Sequence, residues 1–187
     1  MRAWLVTLTE FGDLAVLLPV AAAILIWLLL CSSRAALSWV LALGLCVGLT
    51  VLLKIVSYGC PPVGDLHSPS GHTSLSTLIY GALTLAAATV RPGLQRVLVI
   101  GGGAGLILAI AVSRLLLAHS APEVGLGLVI GMVSLALFSR QCLEAPSTEV
   151  WALLVATGML VSIFHGREVQ AEEYLHWIAG YLHVHCG

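Results

Sequence analysis

Six apolar stretches, each near the ~20 residues that a helix needs to cross a bilayer core, constrain this chain more than any other feature. They fall near 14–31, 35–57, 72–90, 97–117, 123–139 and 150–165, and most are joined by short polar connections. Hydrophobic residues make up 59% of the chain and charged residues 9%, with a mean hydropathy of +1.05, far from the balance of a soluble domain. The predicted fold is therefore all-α: a polytopic membrane helical bundle of about six transmembrane helices. It forms a single membrane-embedded domain over residues 1–187. A net charge of −1 offers no concentrated basic surface, which argues against nucleic acid as a partner.

The two ends read differently from the crossings. Residues 1–13 are too polar for a full crossing and are expected at the membrane interface; they lack the order of a signal peptide. In the tail, 166–187, Ala171, Tyr174, Leu175, Ile178, Tyr181 and Leu182 recur at helical spacing, while Glu168, Glu172, Glu173 and His176 lie elsewhere on the wheel. That pattern predicts an amphipathic interfacial helix. The run Gly101-Gly102-Gly103-Ala104-Gly105 lies inside a crossing, where close helix packing explains it better than a phosphate cradle. Trp4, Trp27, Trp39, Trp151 and Trp177 mark interfaces or helix packing.

Against this apolar background, a few polar residues stand out. The connection from Tyr58 to Ser70 carries Gly59, Pro61, Pro62, Gly64 and Pro69, which break any helix. Lys54 precedes it, and Pro69-Ser70-Gly71-His72 closes it. One crossing later come Ser113-Arg114, His119 and Glu123. Ionisable residues at the edge of a membrane interior are costly and mark sites. Taken singly, each has a plainer account: Lys54 snorkelling to the interface, Ser70 as a helix N-cap, Glu123 favoured by a helix dipole. Arg114 near the end of an apolar crossing points to function or a structural ion pair.

In order and separation these groups resemble the three signature motifs of the type-2 phosphatidic-acid phosphatase superfamily, which also includes the vanadium haloperoxidases. Those motifs are Lys-x6-Arg-Pro, Pro-Ser-Gly-His and Ser-Arg-x5-His-x3-Asp, and the resemblance spans roughly residues 54–131. It implies a membrane-bound lipid phosphatase. His119 would be the nucleophile that forms a phosphohistidine, with Glu123 on its other ring nitrogen, and His72 would protonate the leaving group. Lys54, Arg114, the Ser70 hydroxyl and the Gly71 N–H would hold the phosphate oxygens, with no metal and no cofactor required. The chain differs from the motifs at three points. Pro61 stands where the first has arginine, and Glu123 stands for aspartate. Four residues separate Arg114 from His119, one fewer than in the motif, which on a regular helix turns their relationship by about 100° that the loop must absorb.

The implied partners are membrane lipids and a lipid phosphate or diphosphate substrate, such as phosphatidic acid, phosphatidylglycerol phosphate, a polyprenyl diphosphate or a lipid A phosphate. Transfer of the phosphoryl group to another lipid would use the same intermediate. The alternative is a non-catalytic lipid-binding or transport protein that keeps the fold; Pro61 and the short Arg114–His119 spacing favour it, and the two histidines oppose it. Alternating crossings put Arg34, Arg91, Arg96 and Arg140 on one side and Arg2 and Arg167 on the other with the motifs. The bias of basic residues to the cytoplasm then predicts an inner-membrane protein whose site faces the periplasm or exterior. His67 reads as a loop residue, and the tail's His176, His183, His185 and Cys186 lack a zinc-ligand spacing. Cys31, Cys46 and Cys142 read as small apolar groups, whereas Cys60 and Cys186 share the outer side and could pair there.

Overall fold

The computed structural model describes residues 2–59, 68–142, 150–167, 169 and 171–181. Eight helices account for these residues, with no strand among them: α1 (Arg2–Glu10), α2 (Leu14–Cys31), α3 (Ser33–Gly59), α4 (Gly71–Thr89), α5 (Gly93–Leu117), α6 (Ala121–Cys142), α7 (Val150–Phe164) and α8 (Ala171–Tyr181). Four segments are long and apolar enough to cross a bilayer, namely Ala3–Cys31, Ser33–Tyr58, Gly93–Leu117 and Ala121–Arg140. That is the signature of an integral membrane protein. Pro61, Cys60, His67, Glu168, Leu182, His183, His185 and Cys186 lie outside the described residues.

The distribution of polarity is inverted relative to a soluble bundle. Leu30, Leu41, Leu98, Leu116 and Met159 point outward, while Thr73, Ser74, Ser76, Thr77 and Ser134 are fully buried. Lipid accepts an apolar exterior, and the interior can hold hydroxyls provided each finds a partner. Three do so within their own helices: Ser76 Oγ and Thr77 Oγ1 donate to the Thr73 carbonyl at 3.2 and 2.7 Å, and Ser134 Oγ donates to that of Ile130 at 2.9 Å.

Helix α4 is the centre of the bundle, packed most closely on α6 and α5. A helix walled by other helices need not be strongly apolar, and its neighbours approach it through glycine. A Cβ on Gly127 of α6 would lie 2.7 Å from the Ser70 carbonyl oxygen, and one on Gly131 would lie 2.5 Å from that of Ser74. Gly127 and Gly131 are one helical turn apart, so together they form the close α4–α6 seam. Within the Gly101–Gly105 run, the expected close helix packing is made at a single position. Gly103 alone meets a neighbour, Thr84, whereas Gly101, Gly102 and Gly105 face open space.

The tryptophans divide as their surroundings dictate. Trp39 is fully buried, donates to the Ala21 carbonyl at 3.1 Å and meets Phe138 edge-on, tying α3 to α2 and α6. Trp4, Trp151 and Trp177 are exposed, and Arg91 lies over the Trp151 ring. At the N-terminus, residues 2–10 form a helix packed on α5. In the tail, α8 packs on α3, with the His176 ring stacked on Tyr58. Tyr174, Trp177 and Tyr181 lie on its exposed face.

Candidate active site

Chain topology brings six helix ends to one end of the bundle: the C-terminal parts of α1, α3 and α5 and the N-termini of α2, α4 and α6. Ser70 caps α4, its fully buried Oγ accepting from Thr73 N at 3.4 Å and from Thr73 Oγ1 at 2.9 Å. The helix therefore starts at Gly71 and places His72 in its first turn, where backbone N–H groups point outward and favour an anion. A Cβ at Gly71 would lie 3.8 Å from Lys54 Cε, so the lysine stem runs against the start of α4. One turn lower, Thr50 Oγ1 and Ser74 Oγ share a hydrogen bond of 3.0 Å that fixes α3 against α4.

The third group is assembled at the α5–α6 junction. Helix α5 ends at Leu117, and the Arg114 carbonyl accepts from both Ala118 N (3.0 Å) and His119 N (2.9 Å). His119 thus sits in the turn and off the helix, so the regular-helix rotation associated with the short Arg114–His119 spacing does not apply. Glu123, in the first turn of α6, is buried and fully engaged. Its Oε2 lies 3.0 Å from His119 Nδ1 and accepts from Ser120 N at 2.9 Å, while its Oε1 accepts from Ser68 N at 2.8 Å. The Glu123 carbonyl also accepts from Ser70 N at 3.1 Å. One residue therefore orients the histidine and clamps the segment from Ser68 to Ser70 that leads into α4. Ser113 is also fully buried, but its hydroxyl donates to the Ile110 carbonyl at 2.7 Å, a structural use.

A carboxylate can only accept, so the proton shared with Glu123 resides on His119 Nδ1, and the Nε2 lone pair is the reactive one. Burial holds His119 below its usual 6.5; the Glu123 hydrogen bond and charge oppose this, and the positive charges of Arg114 and Lys54 push further down. Both cations of the sequence motifs are therefore close enough to act on the ring.

Sequence reasoning missed the turn between α1 and α2. Asp13 is buried, caps α2 by accepting from Ala15 N at 2.8 Å, and places Oδ2 3.6 Å from His72 Nε2. Thr9 Oγ1 accepts from Arg114 Nη1 at 3.4 Å. The turn is held by Tyr80, whose hydroxyl donates to the Phe11 carbonyl at 2.7 Å, and by His165, which pairs with Glu10 and meets the Phe11 ring edge-on. Gly12-Asp13 before an apolar run is a recognisable helix-start signal, although it does not reveal what the cap's second oxygen faces. The chain matches no protein-family model, no curated protein and no solved structure.

Proposed function

We propose that this chain is an integral membrane lipid phosphatase of the type-2 phosphatidic-acid phosphatase kind, hydrolysing a lipid phosphate or diphosphate through a phosphohistidine. The observation that carries the reading is the 3.0 Å contact of His119 Nδ1 with buried Glu123, within the field of Lys54 and Arg114. In the first half-reaction His119 Nε2 attacks phosphorus, the bond to the lipid oxygen breaks, and His72 gives its proton to the departing alkoxide. In the second, His72 takes a proton from water as the water oxygen attacks the phosphohistidine, releasing inorganic phosphate and restoring His119. Lys54, Arg114 and the N–H groups at the start of α4 neutralise the charge on the equatorial oxygens, and Glu123 supports the positive ring.

The proposed setting is an inner membrane, crossed six times by α2 to α7. Helix α4 crosses although it is less apolar, because helices surround it, and α7 crosses although it is short. Arg34, at the start of α3, and Lys54 are separated by about 30 Å of helix at 1.5 Å per residue, so Lys54 lies at the end opposite Arg34. Arg91, Arg96 and Arg140 share the Arg34 end, which the bias of basic residues assigns to the cytoplasm. The site then opens to the periplasm or exterior.

Purified protein should release inorganic phosphate from at least one of a panel of lipid phosphates and diphosphates. Binding of those lipids without release from any of them would support the non-catalytic alternative.

A further inference from the structure

We propose that Asp13 is the positioning residue of His72, making the α1–α2 turn a working part of the site; the inference rests on the phosphatase reading above. Capping α2 does not account for an aspartate here. The cap bond uses Oδ1, which accepts from Ala15 N and also, at 3.3 Å, from Val169 N. Oδ2 is the atom at 3.6 Å from His72 Nε2. Serine or asparagine would cap the helix as well without the cost of a buried charge. The turn is also built to lie against His72: a Cβ on Gly12 would come within 3.3 Å of His72 Cβ and 3.0 Å of Ile110 Cγ2, so glycine permits the approach. The Tyr80–Phe11 hydrogen bond holds the turn to α4, the helix that carries His72.

The site then contains two histidine–carboxylate pairs with opposite tasks. Glu123 holds a proton on His119 Nδ1 and leaves Nε2 to attack. Asp13 faces His72 Nε2, and proton exchange with the substrate is assigned to the other ring nitrogen, Nδ1. As the phosphorus–oxygen bond breaks, the Nδ1 proton of the His72 imidazolium passes to the lipid oxygen, and the neutral ring keeps its Nε2 proton toward Asp13. Water returns a proton to Nδ1 when it attacks the phosphohistidine.

The test is Asp13→Asn in the full-length protein, assayed with a lipid alkyl phosphate, whose leaving group needs a proton, and with p-nitrophenyl phosphate, whose leaving group does not. The amide oxygen keeps the contacts with Ala15 N and Val169 N, and the amide nitrogen replaces Oδ2 before His72, setting a donor against a donor. Loss of the pair is expected to lower kcat for the alkyl phosphate by about 10²-fold with KM little changed, and for the nitrophenyl ester by less than about tenfold. Adding Asp13→Asn to His72→Ala should cost nothing further. Equal slowing of both substrates, or a further loss in the His72→Ala background, would overturn the role of Asp13 while leaving the phosphatase reading intact. A parent protein inactive on both substrates would overturn the two together.

Discussion

Glu123 reaches His119 Nδ1 at 3.0 Å from one carboxylate oxygen while its other oxygen holds Ser68 N at 2.8 Å. The side chain bridges the His119 ring and the loop in front of α4, so its length matters as much as its charge. Glu123→Asp should lower turnover even though it restores the residue of the related motif, because a shorter arm cannot keep both contacts. Glu123→Gln keeps the length but loses the charge that supports the ring, and should cost about 10²- to 10⁴-fold in kcat, measured as phosphate release. Asp matching the parent would show that the reach is not limiting.

The His119 ring should titrate below 6.5 in the substrate-free protein, followed by NMR of labelled histidine. Lys54→Ala and Arg114→Ala remove positive charge and should move the midpoint up; Glu123→Gln removes the opposing carboxylate and should move it down. The sign for stability follows from linkage. The folded state binds this proton more weakly than the unfolded chain, so the ring's contribution is present above 6.5 and is lost as pH falls through the folded midpoint.

Packing gives a prediction independent of the chemistry. Gly131→Ala drives a methyl group to 2.5 Å from the Ser74 carbonyl oxygen and should destabilise the bundle by about 1–3 kcal/mol, read by thermal unfolding in detergent. Gly101→Ala enters open space on an exposed helix face and should stay within about 1 kcal/mol of the parent. The contrast between the two positions is the test of the α4–α6 seam.

Those two glycines also show what the sequence could and could not reveal. Apolar runs mark helices well, because a lipid-facing helix must be apolar over most of its length; the stretch 14–31 coincides with α2. They do not say which face meets a neighbour, so Gly101–Gly105 drew attention while Gly127 and Gly131 make the seam. Within the site, Ser70, Gly71, His72, His119 and Glu123 were legible because their partners lie close along the chain or in recognisable motifs. Asp13 was not, since its pairing with His72 depends on how α2 folds back beside α4. The short Arg114–His119 spacing runs past the end of an apolar crossing, and periodicity does not say how the turn there sets the ring. Helix α5 ends at Leu117, and the turn after it sets the histidine.

The central claim is that His119 carries the phosphoryl group. Its most direct measurement is a rapid quench of the protein during turnover of a lipid phosphate labelled at phosphorus, followed by mapping of the protein-bound label. The account predicts a label on His119 that survives alkali and is lost in acid, absent from His119→Ala, whose turnover should fall by at least about 10³-fold while its abundance in the membrane is unchanged. A label that persists in His119→Ala, or turnover in that variant equal to the parent's, would contradict it.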